Sequence, residues 1–347
     1  MAERAGWPLV AALILALALG LRVAGTAPAG LPDLTPALLG TLAVALVYAT
    51  SARFFDPASG AVGALLAALN PLQVLYGRES VSFTLLAVLS AASVLLAAAV
   101  LTIPGGMAAG RFRRGRSFAI ISAYLVISVA GLYTHPAFLF VLAAETLVFV
   151  GWLLGRPRKR HGLVTWLILL GVPLLVALPV LPGSLHEFVA GLQAGGLPPV
   201  WQLIEQVAYG PGAAGETRQG LIPLLLLAGV GLFPPFEEEE GRTLSFAERA
   251  GLVALWLLLP LAVLVLFSLP AAGPSPVRAA GNLAGVLLPA GLALAILAGR
   301  GVVMGIRLGA PVPGASTLGA VLTAALVLGM VFAGVVLPYF AGLGALY

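Results

Sequence analysis

The fold is decided by residues 60–104, which read GAVGALLAALNPLQVLYGRESVSFTLLAVLSAASVLLAAAVLTIP. Two apolar runs of membrane-spanning length are separated by a short polar stretch that contains Arg78 and Glu79. Asn70 and Pro71 interrupt the first run, and proline disrupts a helix because it has no N–H to donate. The stretch therefore predicts a hairpin of two spans with Arg78 and Glu79 at its tip. Charge at a membrane boundary must be solvated or paired, so the tip is either a solvated turn or part of a functional site.

The composition of the whole chain places it in a membrane. Of its 347 residues, 61% are hydrophobic and only 9% are charged, a balance outside the range of soluble globular domains. The chain has no cysteine, which excludes disulfides, thiolate nucleophiles and cysteine-based metal sites. Its excess of basic residues follows membrane topology and does not indicate a nucleic-acid partner. We expect an all-α, polytopic integral membrane domain over residues 1–347.

Apolar segments separated by Gly, Pro and charged residues predict about eleven spans. An uncleaved first span is favoured over a signal peptide, because Arg22 lies between the apolar segment and the small residues that could form a cleavage site. Residues 182–219 are expected to form an external loop with a short surface helix near 199–209, and residues 236–249 an acidic cytoplasmic loop. The predicted spans are residues 7–20, 37–51, 60–76, 82–103, 118–133, 137–154, 163–181, 220–233, 250–269, 279–298 and 317–340.

The 18 arginine and lysine residues predict the orientation. When the N-terminus is placed in the cytoplasm, 14 of the 18 fall on the cytoplasmic side, a strong positive-inside bias. We therefore expect the plasma (inner) membrane with a cytoplasmic N-terminus. The external cations are Arg22, Arg78, Arg218 and Arg278, and the internal ones are Arg4, Arg53, Arg111, Arg113, Arg114, Arg116, Arg156, Arg158, Lys159, Arg160, Arg242, Arg249, Arg300 and Arg307.

The external side is where chemistry is expected. Arginine presents a planar fork of donors that suits phosphate, so an external arginine could hold a lipid phosphate or could simply extend toward headgroups. Arg78 and Arg278 each adjoin a predicted span, whereas Arg22 and Arg218 fall in predicted loops and are interpreted as extending to headgroups or pairing with nearby acids. His135, at the turn between two predicted spans, is either a turn residue or a ligand. We expect the Glu79 carboxylate to accept hydrogen bonds from another external segment.

Residues 70–83, NPLQVLYGRESVSF, resemble the segment P-x-x-x-x-x-S-x-E-x-R-x-Y of glycosyltransferases of the GT-C superfamily. These are the protein-mannosyltransferase-like and aminoarabinose-transferase-like membrane enzymes of bacteria and archaea. Three further similarities follow in the same order as in the family. GLYTH at 131–135 is similar to the family's TH turn, and LIP at 221–223 and residues 256–260 are similar to its C-terminal half. PVR at 276–278, followed by LLP at 287–289, is similar to its R-Y…P helix. The resemblance extends over residues 35–300 and implies a GT-C-like helix bundle.

The resemblance implies transfer of a sugar from a polyprenyl-phosphate donor to an acceptor on the outer face. In such a reaction a loop carboxylate acts as general base and arginines stabilise the departing lipid phosphate. By this resemblance Asp33 would be the catalytic base, and Arg78, Glu79, His135 and Arg278 would bind substrate. The implied partners are membrane lipids, the polyprenyl-phosphate donor and other membrane subunits. A divalent metal is compatible with this chemistry, and the sequence does not decide whether one is needed.

The chain departs from the family pattern at three places. Val81 stands where the motif has arginine, Ala279 stands where it often has tyrosine, and the first external loop lacks the usual Asp-Glu pair. Asp33 is followed directly by Leu34 and a predicted helix, so it either keeps the role of base alone or is only a helix N-terminal acid. The alternative function is therefore a degenerate, non-catalytic GT-C-like subunit of a larger membrane complex. A transporter is disfavoured because the two halves show no repeat.

Overall fold

A computed structural model of the chain describes residues 7–23, 34–102, 114–154, 161–195, 200–209, 218–234, 244–268 and 285–308. Within these ranges the chain is all-α and contains no strand, which confirms the predicted fold class. Among the described residues, five helices are long and apolar enough to cross a membrane, or up to seven when each of two bent helix pairs counts as one span. The chain is therefore a helical membrane protein. The predicted span at 317–340 lies outside the described residues, and the count of about eleven stays a prediction.

The described helices follow the predicted apolar segments closely, with three differences that are considered below. They are α1 Trp7–Val23, α2 Thr35–Phe54, α3 Pro57–Leu69, α4 Pro71–Glu79, α5 Val81–Leu101, α6 Arg114–Thr134, α7 Phe138–Leu154, α8 His161–Ala177, α9 Leu181–Gly195, α10 Val200–Tyr209, α11 Arg218–Gly231, α12 Phe246–Ser268 and α13 Leu288–Leu308.

The first difference is the extent of the predicted break at Asn70–Pro71, which divides the span 60–76 into two helices, α3 and α4, whose axes differ by 60°. Asn70 has an extended backbone, with φ −63° and ψ 122°, as residues before proline usually do. Its side-chain Oδ1 accepts a hydrogen bond of 3.1 Å from the Gln73 N–H and so caps α4, and Pro71 occupies the first turn, where no N–H is needed. Arg78 and Glu79 end α4, one residue before the cap of α5 at Ser80, at the predicted tip.

The second difference lies in residues 182–219, where the prediction of a loop with a single short helix is wrong. Residues 181–195 form α9, which is bent by 80° from α8 across a turn at 178–180. Pro182 was interpreted as a loop residue. Proline is nevertheless tolerated in the first turn of a helix, which is where Pro182 lies. The short helix near 199–209 is confirmed as α10. Its Leu203, Val207 and Ala208 side chains are buried against the bundle.

The third difference is α13, which was predicted to end at residue 298 and continues to Leu308. It is the central helix of the bundle, since the described residues from 285 to 304 are all buried. A Cβ on Gly299 would lie 2.6 Å from the Gly63 Cα of α3, and a Cβ on Gly301 would lie 2.6 Å from the Leu227 carbonyl carbon of α11. Backbones can approach this closely only where glycine removes the side chain. Glycines of α13 therefore set the spacing of the bundle core.

Polar contacts at one end of the bundle, which we call the Arg53 end, join six helices. The Arg53 guanidinium donates to Thr102 Oγ1 of α5 at 3.0 Å, and Arg307 of α13 pairs with Asp56 at the start of α3 at 3.3 Å. Two further arginines at this end, predicted only as cytoplasmic cations, are buried. Arg249 of α12 donates to the Phe54 carbonyl, while Arg300 of α13 donates to the Gly231 carbonyl at 3.0 Å. The opposite end, where α4 meets α5, is called the Arg78 end.

A second polar cluster lies within the bundle, where the buried side chains of three helices meet. Both carboxyl oxygens of Glu145 in α7 are hydrogen-bonded, Oε1 with the Ser93 hydroxyl of α5 at 2.7 Å and Oε2 with the Tyr124 hydroxyl of α6 at 2.8 Å. Buried polar groups in a membrane protein must find partners within the bundle, and this cluster satisfies the carboxyl group. Glu145 therefore links α5, α6 and α7.

The acidic segment predicted as a loop at 236–249 is helical from Phe246 onward, because α12 begins there. Ser245 and Glu248 form a capping box at its start: the Ser245 N–H donates to Glu248 Oε2 at 2.8 Å, and the Glu248 N–H donates to Ser245 Oγ at 3.3 Å. The acidic run at 237–240 lies outside the described residues.

Candidate functional site at the Arg78 end

The helix that carries Arg78 is tied to the rest of the bundle on two sides. The Asn70 side-chain N–H groups donate to the Val207 and Ala208 carbonyls near the end of α10, both at 3.3 Å. The Gln73 amide donates to the Leu288 carbonyl at the start of α13 at 2.7 Å. Asn70 therefore serves both as the cap of α4 and as a link between helices, and the position of α4 is set by α10 and α13.

Arg78 is held by a backbone carbonyl rather than by a carboxylate. Its Nε and Nη2 both donate to the Leu21 carbonyl in the last turn of α1, with an Nε–O distance of 3.1 Å. The side chain is partly buried, and within the described ranges no carboxylate forms an ion pair with it. Because a carbonyl fixes the guanidinium without neutralising it, Arg78 keeps its positive charge at this end of the bundle.

Glu79, the next residue, is exposed. In the part of the chain that the structure describes, its carboxylate makes no hydrogen bond or ion pair. The expectation that Glu79 anchors another segment at this end therefore has no support among the described residues. The Glu79 side chain is therefore in contact with solvent, next to Arg78 in the sequence.

Arg22 was expected to lie in a loop, and this expectation is wrong. It lies in the last turn of α1 with none of its surface exposed, and its Nη1 donates to the Ala18 carbonyl at 2.9 Å. Its side chain runs between Gly40 of α2 and Gly77 of α4. The only sequence signal for this burial is the pair of glycines, and nothing in a single sequence shows that they face one another.

His135 lies within a row of aromatic rings at the Arg78 end. Its ring centroid is 5.5 Å from that of Phe83 in α5 and 5.8 Å from that of Phe188 in α9. Burial lowers the pKa of His135, since it disfavours the charged imidazolium. Its Nδ1 accepts the Ala137 N–H at 3.1 Å, which requires an unprotonated Nδ1. His135 is therefore a neutral imidazole whose remaining nitrogen, Nε2, carries the N–H.

Two predicted site residues, Asp33 and Arg278, lie outside the described residues. The described chain resumes next to Asp33 at Leu34, at the start of α2. It resumes seven positions after Arg278 at Gly285, where a Cβ would lie 2.6 Å from the Phe83 ring. Leu34 is the N-cap of α2, and Gly285 lies three residues before α13. Within the described ranges no group of three or more His, Asp or Glu side chains could hold a metal ion.

These features define a helical membrane protein with two features at one end of its bundle: a row of aromatic rings, and an arginine that no carboxylate of the described residues pairs with. No protein-family model matches the chain, and no curated protein is detectably similar to it. The resemblance to GT-C glycosyltransferases therefore rests on sequence segments alone, those at 70–83, 131–135, 221–223, 256–260 and 276–289.

Proposed function

We propose that the chain is a membrane glycosyltransferase that moves a sugar from a polyprenyl-phosphate-linked donor to an acceptor. The reaction takes place at the Arg78 end, which faces the outside of the plasma (inner) membrane in a GT-C-like bundle of about eleven spans. The observation that carries the proposal is Arg78, a guanidinium that a carbonyl holds in place and no described carboxylate neutralises. A lipid phosphate is the anion that a membrane boundary offers to such a group.

The chemistry of the proposed step needs one base and at least one cation. The acceptor hydroxyl loses its proton to the Asp33 carboxylate as its oxygen attacks the anomeric carbon of the sugar. The bond between that carbon and the phosphate oxygen breaks, and the polyprenyl phosphate leaves with the bonding electrons. Arg78 and Arg278 stabilise the negative charge that develops on the phosphate.

His135 contributes a neutral donor to this site. Because Nδ1 already accepts a backbone N–H, the ring can donate from Nε2 to a sugar hydroxyl or a phosphate oxygen. The flanking rings of Phe83 and Phe188 hold the imidazole in one orientation. Glu79 lies next to Arg78 and, being exposed, is placed to accept a hydrogen bond from a hydroxyl of the substrate.

A second function, that of a non-catalytic subunit in a larger membrane complex, is favoured by one observation. Arg22 and Arg78 both donate to backbone carbonyls of α1, so each has a structural task that needs no substrate. The two functions differ in whether the protein must recognise the phosphate group of a polyprenyl lipid. Only the enzyme needs to bind the phosphate of a polyprenyl lipid more tightly than the corresponding alcohol.

Arg78→Ala is therefore expected to weaken binding of polyprenyl phosphate by about 10- to 100-fold, since a hydrogen bond to a charged group contributes about 1.5–3 kcal/mol. Binding of the uncharged polyprenol should be unchanged. The measurement is equilibrium binding of radiolabelled polyprenyl phosphate and polyprenol to the purified protein in lipid nanodiscs.

Arg307→Ala is the matched control, because it removes an arginine that is 57% exposed at the opposite end and whose ion pair should contribute little to stability. It should bind polyprenyl phosphate as the wild type does. Equal affinity of the wild type for polyprenyl phosphate and polyprenol would contradict the enzyme and favour the structural subunit.

The proposed orientation can be tested in the cysteine-free chain with two single cysteines. Gly115, at the start of α6, and Gly183, in the first turn of α9, are exposed, and a Cβ at either position meets no atom within 4 Å. An impermeant maleimide is expected to label Gly183→Cys but not Gly115→Cys in intact cells, and both after permeabilisation. Labelling of Gly115→Cys alone in intact cells would show that the orientation is opposite to the proposed one.

A further inference from the structure

The C-terminal turn of α1 and the C-terminal turn of α4 hold one another through a reciprocal pair of contacts. Arg78 of α4 donates to the carbonyl of Leu21, while the side chain of Arg22, the next residue of α1, lies against Gly77, the residue before Arg78. We propose that Arg22 is a positioning residue for Arg78, acting as a spacer that fixes the distance between the two turns. The inference rests on the proposed function of Arg78 in binding a lipid phosphate.

The Arg22 stem occupies a slot formed by two glycines on different helices. A Cβ on Gly77 would lie 2.7 Å from Arg22 Nε and 3.0 Å from Cδ, and a Cβ on Gly40 would overlap Nε and lie 2.9 Å from Cδ. The Gly40 Cβ would also lie 3.3 Å from the Gly77 Cα, so α2 and α4 are in direct contact at this point. Any side chain on either glycine must displace Arg22 or separate the helices.

The position of the Arg22 stem determines where the Leu21 carbonyl lies. The Leu21 carbonyl and the Arg22 nitrogen belong to the same planar peptide unit, so the carbonyl moves with the backbone of Arg22. The last turn of α1 is fixed further by the bond of 2.9 Å from Arg22 Nη1 to Ala18. If the stem leaves the slot, the Leu21 carbonyl moves away from α4 and Arg78 loses the acceptor that orients its guanidinium.

The atoms that fill the slot are Cδ and Nε, which a methionine side chain matches in length with its sulfur and terminal methyl group. Methionine therefore keeps the spacer and removes the guanidinium, with its charge and its bond to Ala18, whereas alanine removes the spacer as well. If Arg22 acts as a spacer, Arg22→Met should behave like the wild type and Arg22→Ala should not. This pair of variants separates the role of packing from the role of charge.

The first measurement is a double-mutant cycle that needs no ligand. Arg78→Ala is expected to lower the unfolding midpoint in the wild type and in Arg22→Met. In Arg22→Ala this shift should disappear, because the bond from Arg78 to Leu21 is already lost. Shifts of equal size in all three backgrounds would overturn the positioning role.

The second measurement is the preference for polyprenyl phosphate over polyprenol, which a purely structural role of Arg22 would not change. Gly77→Ala and Arg22→Ala are each expected to reduce this preference about tenfold, equivalent to about 1.4 kcal/mol, and Arg22→Met to retain it. The double variant Arg22→Ala/Gly77→Ala should recover part of the loss, because the added methyl group then enters an empty slot. Gly20→Ala, whose Cβ meets no atom within 4 Å, is the control.

The two proposals fail in different ways. A wild type that shows no preference for polyprenyl phosphate would overturn the proposed function, and the double-mutant cycle would still decide whether Arg22 positions Arg78. A wild type that shows the preference, together with an Arg22→Met variant that loses it as fully as Arg22→Ala, would overturn the spacer and assign the effect to charge.

Discussion

Replacing Gly301 with alanine is expected to destabilise the protein by about 3 kcal/mol or more, the upper end of what overpacking costs. A Cβ at this position would overlap the Leu227 carbonyl oxygen and lie 2.6 Å from its carbon. The obstacle is backbone of α11, which cannot change rotamer, so α11 and α13 would have to separate. Thermal unfolding of the purified protein in detergent measures the loss.

Gly305→Ala provides the control on the same helix, since a Cβ there meets no atom within 4 Å. Alanine favours a helix by about 1 kcal/mol over glycine, so this change should leave stability unaltered or raise it. Equal unfolding midpoints for the two variants would mean that α11 and α13 are not packed as described.

Asp33→Asn is expected to lower sugar transfer by about 10²–10⁴-fold, the usual contribution of a general base. Asparagine has nearly the shape of aspartate but cannot accept the proton of the acceptor hydroxyl. The loss should therefore fall on kcat, while the affinity for the polyprenyl-phosphate donor stays close to that of the wild type. Initial rates of labelled-sugar transfer over a range of donor concentrations separate the two effects.

Glu187→Gln is the matched control for Asp33→Asn, since Glu187 is an exposed carboxylate on α9 at the same end of the bundle. It should transfer sugar at the wild-type rate. Full activity of Asp33→Asn, or a loss confined to Glu187→Gln, would remove Asp33 as the base.

Features that depend on neighbours in sequence were predicted well. Apolar length predicted the helices, and the pair Asn70–Pro71 predicted the break that places Arg78 at a tip, because a proline acts on its own helix. The short helix near 199–209, which is α10, was likewise predicted from residues that are neighbours in sequence. The size of the 60° bend was not predictable, since it is set by bonds from Asn70 to Val207 and Ala208, far along the chain.

Features that depend on contacts between distant segments were missed. Arg22 was expected in a loop at the membrane surface, because its burial requires Gly40 and Gly77 to face each other across two helices. Arg300 was assigned to a cytoplasmic segment because an arginine normally ends a span. Its guanidinium instead lies 4.5 Å from the ring centroids of both Phe55 and Phe246, inside the bundle. A charge pattern alone does not show such partners.

The central claim is that this chain transfers sugar from a lipid phosphate, and one assay tests it most directly. The purified wild-type protein is reconstituted into liposomes with a series of polyprenyl-phosphate donors carrying different labelled sugars, and release of polyprenyl phosphate is measured with and without acceptor-containing membrane extract. The proposed function predicts release from at least one donor that depends on the extract and is strongly reduced in Asp33→Asn. No release from any donor above the level of protein-free liposomes would contradict it.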